Sequence, residues 1–551
     1  MAWDADTFRR NKAYIILFLT VLAVILAIIP LYRQAIICND ELQTRYWAGL
    51  GFDRFYEHYH EAWVSQGRML AASISSVTMY LGFLSQDRAV FRIEQIAVLV
   101  SCSLLFGLLI RTMFKDRYFA VFCSVSFLVL LPITFEHTLP NAFVSFIGIP
   151  VMVVLLSMIL FIRFIDKGNY LLLFVSMILF FAASVSYEAF VTMAPIYSLL
   201  AISRNVSNGE SRRFKGALWP IIVGCAFFAV YIISSIVFPS SYEGNKIARP
   251  IDIANSIDII STLFLTNLPG FYYTSPKYQW MMDSIGNTGD PAFVVRALVL
   301  LVLFVALLAV LAWSSRESGT GERKKHLVPI AIAILVAVFP FIPTSVSSMY
   351  QDMVGESGFL ALPASFISFF GVVFIICYIL WNVFRDSKSL HLKIAVVVMA
   401  FVFIGPTQMA NDIYSEEQLS DFDRLEYIED FVRSDGLYTI GGDEYRSPDL
   451  YVQYHLLGFI GDYWTDYSRE YGNGILLPRD EPASGSEDRI YFDGERTFQI
   501  WHAGSLTLMS KSSIPESLQV RIIDDVYGVA TVTGIDEVGG WYVASCSVAS
   551  I

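Results

Sequence analysis

Residues 14–32 read YIILFLTVLAVILAIIPLY, and residues 33–47 continue RQAIICNDELQTRYW. The first stretch carries no charge and has the ~20-residue length that crosses a ~30 Å hydrocarbon core. Arg9, Arg10 and Lys12 precede it, as in a signal peptide, but no small-x-small cleavage site follows. It is therefore expected to stay as a first membrane span. Similar runs recur at 94–112, 118–135, 142–164, 170–186, 189–203, 217–238, 292–313, 327–346, 358–384 and 392–410, giving about eleven spans. The composition agrees: 55% of residues are hydrophobic and 16% charged, against about 25% charged in soluble proteins. A net charge of -12 argues against a nucleic-acid partner.

Basic residues set the orientation. The segments expected inside hold Arg9, Arg10 and Lys12; Arg111, Lys115 and Arg117; Arg163 and Lys167; Arg204, Arg212, Arg213 and Lys215; Arg316, Arg323, Lys324 and Lys325; and Arg385, Lys388 and Lys393. The short segments expected outside, FEHTLPN (135–141), SYEA (186–189) and MYQDMVGESG (349–358), contain no Lys or Arg. This places the N-terminus inside and the C-terminus outside. Residues 67–84, with scattered Ser and Thr, fit an interfacial helix, because a span there would turn RTMFKDR (111–117) outward. The first outer loop is then 33–93 and the second long one 239–291.

Beyond residue 410 the chain turns polar and acidic, with turn signals IGGDE, GNG, PASGSED and VGGW. Residues 415–436 read as a helix, with Leu425, Ile428 and Phe431 at helical spacing and Gly436 as a stop. RIYFDGERTFQIW, SLTLMS, LQVRII, YGVATVTG and GWYVASCSV read as strands. The expected fold is an all-α polytopic membrane domain (1–410) with interfacial helices in its first outer loop, followed by a small extracytoplasmic α+β domain (411–551). Six cysteines form no CxxC pair and no zinc spacing.

Acids gather where spans meet the outer face: Asp40 and Glu41, Glu136 beside His137, and Glu188 beside Tyr187. Charge beside hydrocarbon is costly, so such residues tend to face a cavity and mark function. Asn39 or Asp40 suits a helix start, and Glu41 and Arg45, four apart, are placed to pair. Arg45 and Arg68 also suit bidentate binding of a phosphate. An acid beside a phosphate-binding arginine suggests deprotonation of a hydroxyl while a phosphate leaves. Glu136 and His137 supply two candidate metal ligands, too few to assign a divalent ion, so no cofactor is assigned. His58 and His60 fit a solvated surface or an acceptor groove. The aromatic stretch 267–282 fits membrane anchoring, with sugar stacking as the alternative. Lys246, Arg249 and Lys277 are additional cations for a lipid phosphate.

NDELQTRYW followed by WVSQGRMLAASI resembles the Gtr-type (type II) bacterial glucosyltransferases of the GT-C superfamily, and SVSYEAF (184–190) is similar to a short turn of that group. The likeness covers the first ~200 residues and is topological beyond them; Asp-Glu stands where many relatives show two aspartates. It implies a bacterial cytoplasmic-membrane enzyme with a polyprenyl-phosphate sugar as donor and an extracytoplasmic glycan or lipid-linked glycan as acceptor. Asp40 or Glu41 would be the base, Arg45 and Arg68 would hold the leaving phosphate, and Glu136, His137, Tyr187 and Glu188 would orient sugar or acceptor. The competing classes are a lipid or glycan flippase, a membrane scaffold, and a GT-C polymerase or ligase. A flippase would carry mid-membrane charge on broken helices, whereas these spans read as nearly free of charge.

Overall fold

The computed structural model describes residues 5–35, 39–68, 71–85, 87–133, 138–208, 216–239, 242, 244, 246–249, 252–270, 291–317, 327–357 and 361–433. Beyond these it describes 444–447, 461–471, 475–478, 497–502, 505–510, 517–521, 527–538 and 541–550. The chain forms two compact units, one of Met1–Gln34 with Trp47–Glu416, the other of Ala35–Tyr46 with Glu417–Ile551. The second unit thus includes part of the first loop, which the expected division at residue 410 had placed with the membrane domain.

In the first unit, eight helices among the described residues are long and apolar enough to cross a membrane: Asn11–Arg33, Arg88–Phe114, Val144–Lys167, Gly216–Val237, Pro291–Glu317, Val328–Ser345, Pro363–Asp386 and Leu390–Glu416. The chain is an integral membrane protein. Three other expected spans form shorter helices, Arg117–Leu130, Tyr170–Ser186 and Ala194–Asn208. Ala71–Phe83 is apolar but, at 1.5 Å per residue, reaches only about 20 Å. Ile253–Thr266 is a helix inside the second long loop, where the sequence pattern predicts no element.

Neighbouring helices are joined by reciprocal serine pairs. Ser103 and Ser124 each donate to the other's carbonyl at 2.8 and 2.9 Å, and Ser157 and Ser176 do so at 2.7 and 2.8 Å. Small hydroxylated residues allow close helix approach where lipid offers no polar partner. Gly371 serves the same end: a Cβ there would lie 2.4 Å from the Ala333 carbonyl oxygen.

The spans are less free of charge than the sequence suggested. Arg296, in Pro291–Glu317, donates from Nε to Asp412 at 2.7 Å, from Nη2 to the Gln408 carbonyl at 2.7 Å and from Nη1 to the Leu26 carbonyl at 2.7 Å. Pro30 lies inside the helix Ala5–Arg33 and has no N–H for the carbonyl four residues back, which is Leu26. Arg296 supplies that missing donor. The sequence pattern concealed the pair because Arg296 is a single charge within an apolar run, while Asp412 lies just past the expected end of the last span at residue 410.

The expected break between a last span and a helix at 415 is absent: Leu390–Arg433 is one helix of 44 residues despite Pro406. Neighbouring helices make such prolines tolerable. In the second unit, seven strands among the described residues form one sheet: β1 (Glu444–Ser447), β2 (Ile475–Pro478), β3 (Thr497–His502), β4 (Ser505–Ser510), β5 (Ser517–Arg521), β6 (Tyr527–Val538) and β7 (Trp541–Ser550), in the order β2-β1-β3-β4-β7-β6-β5. β1 and β2 pair in parallel, the other neighbours antiparallel. The helix Gly461–Tyr471 precedes β2.

Candidate functional site

Contacts in the first unit sort the loop ends into two groups that match the charge pattern. Segments rich in Lys and Arg meet one another: Arg204 binds Asp166 at 2.6 Å and the Met113 carbonyl at 2.8 Å, Lys12 binds Glu317 at 3.0 Å, and Ser315 donates to Asp116 at 3.0 Å. The other group comprises the ends without this basic excess. Asn141 donates to the Ile133 carbonyl at 2.7 Å and is also joined to Gln34. Tyr242 and Tyr350 share a hydrogen bond at 2.9 Å, and Arg68 reaches Glu188.

The Arg68–Glu188 pair is the centre of this second group. Arg68 follows the helix Phe52–Ser65 through Gly67, whose φ of +77° a side chain rarely adopts and whose Cβ position is 3.1 Å from the Tyr231 ring. The glycine therefore lets the chain turn closely beneath Tyr231. Glu188 starts a 3-10 turn, Glu188–Met193, immediately after the helix Tyr170–Ser186. Arg68 donates from Nε to Glu188 Oε2 at 3.0 Å and from Nη2 to Oε1 at 2.8 Å, a bidentate contact, while Nη1 binds Gln66 Oε1 at 2.6 Å. Among the described residues this uses three of its five N–H groups. The rings of Tyr187, Phe146 and Trp63 lie 5.1, 5.5 and 5.7 Å from the guanidinium carbon.

Burial opposes the charge on Arg68, but Glu188 outweighs it and holds the guanidinium pKa above its ordinary value. Burial raises the Tyr187 phenol, and the Glu188 carboxylate adds to the rise. Burial also raises Tyr350, helped by its neighbour Tyr242. The pair is asymmetric in solvent access: the Arg68 side chain is 9% exposed and that of Glu188 27%. The same 3-10 turn presents Phe190 and Met193 to an apolar cavity of about 70 Å³, lined also by Phe106, Leu155 and Phe370.

The acid pair belongs to the second unit. The helix begins at Asn39, so Asp40 and Glu41 occupy its first turn, where the helix dipole favours negative charge. Glu41, Leu42, Arg45 and Tyr46 are buried, whereas Asp40, Gln43 and Trp47 are half-buried along another face. Of the two carboxylates, Asp40 is the more open. Arg45 directs Nη1 to Glu429 at 2.7 Å and Nη2 toward Glu426 at 3.8 Å. Its guanidinium thus lies against the carboxylates of Glu429 and Glu426.

Glu136, His137, Lys277 and the stretch 271–290 lie outside the described residues. His58 stacks on Trp47 with ring centroids 4.1 Å apart, and His60 lies against Tyr56. Among the described residues no three His, Cys, Asp or Glu side chains gather as a metal site. Sequence reasoning missed Tyr231, Tyr242 and Tyr350. The available signal was a tyrosine in the outward-reading segments SYEGNK and MYQD. No protein-family model and no curated protein sequence matches this chain.

Proposed function

We propose that the chain is a membrane glycosyltransferase of the GT-C type. It would move a sugar, glucose by the resemblance of its first loop, from a polyprenyl-phosphate carrier to an extracytoplasmic glycan or lipid-linked acceptor. The observation that carries this is Arg68: a buried guanidinium among aromatic rings, with N–H groups to spare, where loop ends without Lys or Arg excess converge. Guanidinium suits a phosphate leaving group, and aromatic faces suit a sugar.

Asp40 takes the proton of an acceptor hydroxyl as its oxygen bonds to the anomeric carbon. The bond from that carbon to the phosphate breaks on the opposite face, so configuration inverts. Arg68 stabilises the departing lipid phosphate. Tyr187 and Glu188, with Glu136 and His137, orient sugar or acceptor. The topology that goes with this reading has eleven spans, the N-terminus in the cytoplasm and the C-terminal unit outside a bacterial cytoplasmic membrane.

The test is sugar transfer by purified protein in proteoliposomes, from polyprenyl-phosphate glucose to an envelope glycan, comparing wild type with Asp40→Asn, Glu41→Gln and Arg68→Ala. Loss in Asp40→Asn and Arg68→Ala is expected. Full activity in both acid variants sinks the base mechanism, and lipid movement without sugar transfer selects a flippase. Arg296–Asp412 is the one observation that favours a flippase, being a buried ion pair inside candidate spans. Its bond to the carbonyl freed by Pro30 gives it a structural role instead.

A further inference from the structure

We propose that Glu429, reinforced by Tyr463, is the positioning residue for the Asp40 helix, fastening Ala35–Tyr46 into the C-terminal unit through Arg45. The inference deepens the glycosyltransferase reading and rests on Asp40 being its base. It gives the C-terminal unit a part in that reaction, namely carrying and orienting the carboxylate.

Three observations converge on it. The first is membership: Ala35–Tyr46 clusters with Glu417–Ile551, hundreds of residues away along the chain. The second is a bonded core. Glu429 is 4% exposed, and its Oε1 accepts both from Arg45 Nη1 at 2.7 Å and from the Tyr463 hydroxyl. The Arg45 guanidinium also lies 5.3 Å from the Phe422 ring. A charged hydrogen bond in a desolvated place is strong and directional, so it fixes the rotation of the helix that bears it.

The third is an aromatic clasp on the next residue. The Tyr46 ring lies 6.3, 6.4 and 6.4 Å from those of Tyr463, Tyr467 and Tyr471, and Arg433 covers Tyr467 and Tyr471 at 5.4 and 5.2 Å. Arg45 and Tyr46 thus hold one face of the helix. Asp40, on its more open side, is thereby held at a set angle. A helix of 11 residues is too short to be stable alone, so these contacts decide whether and where it forms. An arginine buried against two carboxylates fits holding a position better than gripping a substrate that must come and go.

The experiment follows amide exchange across residues 39–47 of the full chain in lipid nanodiscs, together with sugar transfer from polyprenyl-phosphate glucose. Glu429→Gln is expected to speed exchange there about tenfold or more and to lower kcat by a similar factor, with donor KM kept within about twofold. Exchange in Pro363–Asp386 stays at its wild-type rate. Tyr463→Phe, a milder change, gives a smaller effect in the same direction. The apolar double variant Arg45→Met/Glu429→Leu removes both members of the buried pair together and is expected to return both protection and kcat toward wild type. Unchanged exchange at 39–47 in Glu429→Gln overturns the proposal. So does a double variant with protection restored but donor KM sharply raised, since that makes Arg45 a phosphate ligand. If the wild type transfers no sugar, the enzymatic reading fails, while the exchange measurements still decide whether Glu429 holds the helix.

Discussion

Cutting the Arg68–Glu188 pair from its two ends should have unequal consequences. Arg68 sits deeper, at 9% side-chain exposure against 27% for Glu188. Glu188→Ala leaves a desolvated guanidinium with Gln66 and three rings for company. Removing one partner of a buried pair costs about 3–5 kcal/mol, and the surviving ring contacts return about 1 kcal/mol of that, so about 2–4 kcal/mol is expected. Arg68→Ala leaves a carboxylate that water reaches; its cost is lost hydrogen bonds and packing, about 1–3 kcal/mol. The double variant should cost less than the two singles summed, by about 1–3 kcal/mol, because the groups share one interaction. Denaturant unfolding in mild detergent at neutral pH, on wild type, both singles and the double, measures all three quantities. Equal single costs, the reverse order, or strict additivity would refute the picture of a deep cation held by a shallower anion.

The Pro30 compensation predicts that Arg296→Met costs about 3–5 kcal/mol in unfolding free energy, since Asp412 is 0% exposed; Arg296→Met/Asp412→Leu should recover much of it, and a double variant worse than the single refutes this account. Gly371→Ala places a Cβ 2.4 Å from the Ala333 carbonyl oxygen and should destabilise by about 1–3 kcal/mol in the same assay. Gly405→Ala meets only Phe401 at 3.9 Å inside a helix and should be neutral or stabilising by about 0.5–1 kcal/mol; the opposite ranking of the two glycines would contradict the packing described. Burial, then the Glu429 charge, raises the Tyr463 phenol well above its ordinary value. The folded state therefore keeps this proton where the unfolded chain loses it. Stability is full below about pH 10 and falls as pH rises above that. Tyr463→Phe should flatten that alkaline loss, and stability that rises between pH 9 and pH 11 would contradict the assignment.

Much of the scaffold was legible because hydrocarbon imposes a length and a composition. Runs such as 14–32 and 358–384 leave little choice, and their positions agree with the helices Asn11–Arg33 and Pro363–Asp386 to within a few residues. The β3, β4 and β7 strands were visible from alternation in SLTLMS and its neighbours. The break near residue 415 was misplaced because the end of an apolar run marks a membrane boundary and not a helix boundary. Leu390–Arg433 passes from one to the other without stopping. At the site, Arg68 and Glu188 were each visible as a charge beside a span, but their bidentate contact joins residues 120 positions apart.

The sequence by itself determined that this is a membrane protein, where its long apolar runs lie, and which loop ends carry Lys and Arg. These follow from the transfer free energies of residues taken one at a time or in local runs. Only the tertiary structure decided the partners of the isolated charges: Arg68 with Glu188, Arg296 with Asp412 and the carbonyl freed by Pro30, Arg45 with Glu429. It also decided that residues 35–46 belong with the C-terminal unit. The reason is that a buried charge accepts whichever complementary group packing brings within about 3 Å, and no local pattern records which distant segment that will be.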